Sequence, residues 1–283
     1  MKKLLNDILP VARSRGVSEE LRGWNWSKPP LRPPISGEYL PVHIVASKYC
    51  PTDRDLFLSR VVKIPRQQNV PMSQGLAVHQ VVEKAFRSFT QGDNYTEFVS
   101  KLSPQHKKLW DLCIQQCNAE AIRLKSSQPL MPVHDITLTA VPFLVELRLN
   151  GSLLGFSEDV VVDAFDYLRH IVYNLKMVVL GKEKWHRLYP TAYALIIESI
   201  YEIPVDVGAT VYVEFLRGSE IRVSKDVFFI DDSLRAELIE MRDRKIGLLI
   251  TKTDPGKPEK PDYCILVKCP YLEKCWNIEE GER

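Results

Sequence analysis

Three cysteines inside twelve residues, Cys264-x4-Cys269-x5-Cys275, stand near the end of the sequence. Thiolates are costly to bury without a counter-charge, so a segment holding three of them beside the turn formers Pro261 and Pro270 reads as a site for a metal ion or cluster, with plain structural thiols as the alternative. Three ligands are one short of the four that tetrahedral zinc or an iron–sulfur cluster takes. Cys50, in the loop Tyr49-Cys50-Pro51-Thr52-Asp53, is the better source of the fourth. Cys113 and Cys117 sit four apart on the apolar stripe of a predicted helix and read as buried thiols. The spacing alone does not separate zinc from iron–sulfur. A framework of three disulfides is not expected, because the chain reads as cytoplasmic. Its start, Met1-Lys2-Lys3-Leu4-Leu5, is broken as a signal peptide by Asn6, Asp7 and Pro10. No apolar run approaches the roughly 20 residues of a membrane span, so no membrane partner is expected.

Two proline-rich breaks divide the chain. Residues 24 to 41 carry Pro29, Pro30, Pro33, Pro34 and Pro41 among Trp24, Trp26 and Tyr39, which reads as an extended arm or linker. Thr253 to Pro261 forms the second break. The predicted divisions are an N-terminal helix and arm over 1–44, a core over 45–252 with a helical insert at about 93–130, and a cysteine-rich tail over 253–283. In the core, apolar residues at 78, 81, 82, 85, 86 and 89 have a helical period, and a second amphipathic helix follows Pro104. Phe143 to Leu149 alternates, with Phe143, Val145, Leu147 and Leu149 on one face and Leu144, Glu146 and Arg148 on the other. Asp159–Phe165 and Ile171–Leu180 read as strands, Lys182–Tyr201 as a helix, Gly208–Leu216 as a strand and Ile221–Ile230 as a weaker strand or hairpin. Asp231-Asp232-Ser233 offers caps for a last long helix. The fold class is α/β, ordered helix, helical insert, three strands, helix, strand. With Lys+Arg 38 against Asp+Glu 36, the net charge of +2 does not by itself mark a nucleic-acid binder.

Several residues carry possible chemistry. A lone histidine on a helix, such as His79, is more often packing than ligand. Asp159 and Asp163 stand at the start and end of a valine-rich strand, where a carboxylate is costly unless paired. Both share one strand parity. Asn174-Leu175-Lys176 projects two polar groups on one face of an apolar strand. Lys176 alone reads as an edge-strand lysine; beside a metal ligand it can orient water or neutralise developing charge. Lys182, Lys184, Trp185 and Arg187 combine cations with an aromatic, suiting either a phosphate track with base stacking or a solvated helix start. Trp24 and Trp26 suit base stacking or pinning of the arm.

Read in order, Cys50-Pro51-Thr52-Asp53-Arg54-Asp55-Leu56-Phe57-Leu58, Gly75-x3-His79, an acidic strand, x-Lys176, a tyrosine-bearing helix and three tail cysteines form one set. It resembles the CRISPR-associated RecB-like nucleases of the PD-(D/E)xK superfamily, which carry a four-cysteine iron–sulfur cluster. Gly155-Phe156-Ser157…Asp163-Ala164 and Tyr193-Ala194-Leu195…Glu198…Pro204-Val205-Asp206-x-Gly208 resemble the archaeal subtype I-A variant. The resemblance covers residues 45 to 278 and rests on the order of weak motifs together with the cysteine layout.

It implies a restriction-endonuclease-like α-β-β-β-α-β core with a helical insertion and a cysteine-rich iron–sulfur segment. His79 and Asp163, with Asp159 as competitor, would bind Mg²⁺ or Mn²⁺. Lys176 would be the catalytic lysine and Tyr193 would lie near the substrate backbone. Cys50, Cys264, Cys269 and Cys275 would hold a [4Fe–4S] cluster. The implied activity is exonuclease-type hydrolysis of DNA, single-stranded or with splayed ends, in spacer acquisition beside the CRISPR integrase and other adaptation proteins. Two positions depart from the pattern. Asn174 stands where an acid is expected, and an amide is a far poorer ligand for a hard ion than a carboxylate. Tyr189 stands in place of a glutamine. Glu83 or Glu158 is the compensating acid if the site is active; otherwise the chain is a degenerate DNA-binding or scaffold subunit of the adaptation complex.

Overall fold

Pro10, which needs no hydrogen-bonded N–H at the first turn of a helix, opens α1 (Leu9–Arg15). The structure, a computed structural model, describes residues 7–35, 37–65, 70–127, 141–178 and 181–276. The first six residues, the end of the predicted insert at 128–130, the end of the third predicted strand at 179–180 and the tail beyond 276 lie outside them. The apolar period around Val78 folds as α2 (Val70–Gln91), and Pro104 opens α3 (Pro104–Ser127). Val78, Val81 and Ala85 of α2 pack with Leu109 and Trp110 of α3 and with Val213, which makes the helical insert part of one apolar layer.

Three strands follow: β1 (Phe143–Leu149), β2 (Val160–Asp166) and β3 (Ile171–Met177). After them come α4 (Leu188–Tyr201), β4 (Val207–Phe215), β5 (Ile221–Phe229) and α5 (Asp232–Thr251). The predicted helix from Lys182 begins instead with a 3₁₀ turn at Lys184–Arg187. The sheet runs β1-β2-β3-β4-β5 in spatial order and is antiparallel except where β3 pairs parallel with β4. That parallel pair needs a crossover, and α4 supplies it. β5 is a full strand of the sheet, and Asp231 caps α5 by accepting a 3.0 Å bond from the Leu234 N–H. The fold is thus mixed α/β, with α2 and α3 against one face and α4 and α5 over the other. No helix among the described residues is long and apolar enough to cross a membrane.

The proline-rich arm is not a linker. Leu31 and Leu40 are fully buried in the core beneath α4 and α5. The arm presents backbone carbonyls that proline-rich chain cannot satisfy in a ladder of its own, and α5 answers them. Arg242 Nη1 donates to Leu31 O at 2.6 Å and to Leu154 O at 3.0 Å. Gly23 lies so close to α4 that a Cβ there would sit 2.1 Å from Leu195 O. That contact lets the Gly23 N–H donate to Glu198 Oε2 at 2.8 Å.

Glu198 is the hub of a buried charge network. Arg22 Nη1 donates to its Oε1 at 3.0 Å, and Arg235 holds both carboxylate oxygens at 2.7 and 2.9 Å. The Val205 N–H adds a fourth partner at 3.0 Å. Glu198 and Arg235 side chains are both 0% exposed. A buried ion pair holds only when its remaining donors and acceptors are met as fully as this.

Candidate metal centre and cysteine pocket

On α2, His79 flanks the buried stripe of Val78, Val81 and Ala85, so its imidazole reaches along the sheet rather than into the helix pair. Its Nδ1 lies 3.5 Å from Glu146 Oε1 and 3.8 Å from Asp163 Oδ1. The three ligand atoms all lie within 4.8 Å of one another, each on a half-buried side chain. Two donors on one divalent ion at roughly 2.1–2.5 Å stand about 3–4 Å apart, so these spacings suit a single hard cation.

Glu146 is the residue that sequence reasoning missed. The ladder pairs Val145 with Ala164 and Leu147 with Val162, which leaves Glu146 across from Asp163. Two carboxylates directly opposite on neighbouring strands repel and are destabilising unless something positive joins them. The Glu146 backbone has φ 52°, in the left-handed region, which costs a residue with a side chain about 1–3 kcal/mol and collects at functional sites. This twist breaks the predicted alternation of β1. Phe143 packs edge-on against Phe86 of α2 at 6.0 Å, whereas Leu147 and Leu149 join the core beneath α4. The predicted grouping of all four residues on one face is therefore corrected at Glu146. On β2, Val160, Val162 and Phe165 share one core, so the alternation slips at Asp163 as well.

The other acids are engaged elsewhere. Asp159 precedes the strand and pairs with Arg148 at 2.7 Å, both well exposed, so the competing reading of Asp159 as ligand is corrected. Glu83 pairs with Arg87 at 3.1 Å, and Glu158 is exposed to solvent; neither compensates for Asn174. Asn174 itself is buried outside the cluster, its Nδ2 without a partner and across from the equally unpartnered Thr210 Oγ1. Tyr193 is buried on α4, and burial, followed by the nearby Asp163 carboxylate, raises its pKa well above the ordinary value.

Electrostatics around the cluster follow burial first. Burial lowers the His79 pKa, but the Asp163 and Glu146 carboxylates outweigh it and leave the net value above the ordinary one. Burial raises Asp163 against the pull of His79, the Leu175 N–H (2.6 Å) and Lys176. Burial lowers Lys176, with Asp163 opposing. The Lys176 Nζ lies 3.5 Å from the centroid of the Tyr189 ring. His186, buried nearby with Nδ1 3.2 Å from the Tyr212 hydroxyl, is pushed down to about 4 by burial and then by Lys176. This sets a pH dependence. As pH falls from 6.5 towards about 4, the unfolded chain takes up a proton at position 186 that the folded chain refuses. Stability from His186 is full above that window and declines through it, by on the order of 3 kcal/mol at most. The expected result is a flatter acid slope for His186→Asn, read as urea midpoints at pH 7.5 and 5.

The expected DNA-contact segment divides in the structure. Lys182 and Lys184 are exposed. Trp185 is half-buried among Tyr49, His186 and Tyr189. Arg187 is spent on Asp226 through bonds of 2.8 and 3.2 Å, which removes it from an open phosphate track.

Cys50, Cys264, Cys269 and Cys275 line one pocket with Arg54 and Trp276. Burial raises Cys269 to about 11, and burial followed by the neighbouring Cys50 and Cys275 raises Cys264. Thiols this crowded resist ionisation unless a cation joins them. A metal ion or a cluster would supply that cation, with the four thiols as its ligands. Arg54 Nη1 donates to Cys275 Sγ at 3.2 Å, and the buried Trp276 Nε1 has no hydrogen-bond partner. Cys113 and Cys117 stand apart on α3, both raised to about 12 by burial.

Comparison with known proteins agrees over nearly the whole chain. A protein of Saccharolobus solfataricus named CRISPR-associated exonuclease Csa1 is 31% identical over 264 residues, covering 86% of this chain and 88% of its own length. One of the same name from Thermoproteus tenax is 27% identical over 281 residues, covering 92% and 91%. A solved crystal structure, that of SSO0001, aligns over 80% of this chain and 96% of its own at 12% identity with a TM-score of 0.31, too loose a likeness to carry an argument. The family model for the CRISPR-associated exonuclease Csa1 matches residues 1–278, and the chain belongs to that family.

Proposed function

We propose that this protein is a divalent-metal-dependent DNA exonuclease on a PD-(D/E)xK core, with a [4Fe–4S] cluster in its cysteine pocket. The observation that carries the reading is the meeting of His79, Glu146 and Asp163 donor atoms within 4.8 Å, with Lys176 near enough to bias the Asp163 charge. Glu146 supplies the carboxylate that Asn174 lacks, which favours a working site over a degenerate scaffold. Mg²⁺ or Mn²⁺, when bound there, supplies Lewis-acid activation of water and of the scissile phosphoryl group. The chain's own residues do the rest. His79, Glu146 and Asp163 would hold the ion, and the Leu175 N–H fixes the Asp163 carboxylate. Lys176 places its amine where negative charge develops during phosphodiester hydrolysis. Lys182 and Lys184, both exposed, would meet the phosphate backbone of the DNA.

The family's association with CRISPR supports a role in spacer acquisition, trimming single-stranded or splayed DNA ends beside the CRISPR integrase and other adaptation proteins. The test uses purified protein with linear and covalently closed circular DNA, each with Mn²⁺ or with chelator. Linear DNA is expected to be degraded only with Mn²⁺ while closed circles survive. Equal attack on circles, or activity in chelator, overturns the reading.

The cluster is tested separately. An anaerobic preparation is expected to be brown and to contain iron and sulfide, and Cys50→Ser or Cys269→Ser to lose most of both. A colourless native protein holding stoichiometric zinc contradicts the assignment.

A further inference from the structure

Lys176 is seated on a ring rather than in an ion pair. Its Nζ lies 3.5 Å from the centroid of Tyr189. Among the described residues it makes no hydrogen bond or ion pair. An ammonium over an aromatic face is drawn to the negative side of the ring quadrupole, more strongly where water is excluded. Tyr189 is buried on α4 and backed in turn: Trp185 packs against it at 6.2 Å, and Tyr49 meets Trp185 edge-on at 4.8 Å. Tyr49 directly precedes Cys50, so the stack runs from the cysteine pocket to the amine. A glutamine at position 189 would lack this face, and its amide could hold a lysine only through one oxygen.

We propose that Tyr189, buttressed by Trp185 and Tyr49, is the positioning residue for Lys176, its ring face holding the amine beside the His79–Glu146–Asp163 group. The inference rests on the nuclease reading above and assigns the stack a task in it. A flexible four-carbon stem otherwise sweeps a wide arc, and misplacement of a charged group by about 1 Å costs on the order of 100-fold in rate.

The test is a substitution series at one position, read as kcat and KM on linear DNA with Mn²⁺. Tyr189→Phe keeps the ring and is expected to stay within about twofold of the native kcat, whereas Tyr189→Leu loses about tenfold in kcat with little change in KM. Incorporation of phenylalanines bearing one, two or three ring fluorines at 189 keeps shape and burial while draining the ring face. Here kcat is expected to fall stepwise with fluorine number, a trend that packing alone does not produce and that remains readable if the leucine variant does not fold. A flat fluorine series, or equal kcat for the leucine and phenylalanine variants, overturns the inference. Lys176→Ala run alongside separates the two readings. If that variant is fully active, the nuclease site itself is wrong; if it is inactive while the fluorine series is flat, only the role of Tyr189 falls.

Discussion

Lys176→Ala is expected to lower Mn²⁺-dependent degradation of linear DNA by about 10²–10³-fold while leaving DNA affinity nearly unchanged. The amine is half-buried, faces Asp163 and touches an aromatic ring instead of a fixed anion, so its charge is free to serve the reaction. Removing it deletes an interaction made chiefly in the transition state. Glu146→Gln is expected to act differently. It leaves the amine in place and replaces one hard anionic ligand by a neutral amide, so the Mn²⁺ concentration for half-maximal activity rises, by roughly 10–100-fold on the scale of comparable losses around metal sites. Saturating Mn²⁺ then restores part of the rate to the glutamine variant and none to the alanine variant. Native-like activity in Lys176→Ala removes this residue from the site, and unchanged metal dependence in Glu146→Gln removes that one.

Glu198→Ala is the second large expected effect, on stability rather than chemistry. The carboxylate answers Arg22, Arg235 and the Gly23 and Val205 N–H groups in a volume closed to water. Its removal leaves two amides unmet and takes from Arg22 and Arg235 their fully buried carboxylate, with the partly exposed Asp206 as the remaining anion beside them. Breaking one side of a buried pair costs about 3–5 kcal/mol, and the urea midpoint is expected to fall accordingly with little change in slope. A shift below about 1 kcal/mol would show that water reaches the arginines and that the network is less enclosed than its geometry indicates. The double substitution Glu198→Leu with Arg235→Met is expected to recover part of the loss, since an apolar pair leaves fewer unmet charges.

Much of the fold lies on the surface of the sequence, because helical and strand periods are local. The stripe at Val78, Val81 and Ala85, the caps at Asp231 and the valine-rich strands all declare themselves within a few residues. The cysteine pocket is partly legible for the same reason, three of its thiols lying close in sequence and the fourth in a short loop. What stays hidden is long-range or depends on backbone angle. Glu146 lies on a run whose alternation is simple on paper; the long-range pairing of β1 with β2 sets it across from Asp163, and a left-handed φ that nothing in Val145-Glu146-Leu147 encodes breaks the alternation there. Asp159 and Asp163 share a parity, and only the point where the strand begins separates them. The prolines of the arm read as a linker because the arginine that anchors them is more than 200 positions away.

Those anchors bear on how the chain reaches its folded state. Arg235 and Arg242 hold carbonyls of Leu21 and Leu31 across 214 and 211 positions, and the arm fills part of the same interior. During synthesis the first forty residues therefore emerge without the helix that receives them, and they wait, apolar side chains outward, until nearly all of the polypeptide has been made. Contacts of such separation slow folding and prolong exposure of sticky surface. A nascent chain of this protein is expected to acquire protease resistance late and abruptly, only after α5 has left the ribosome.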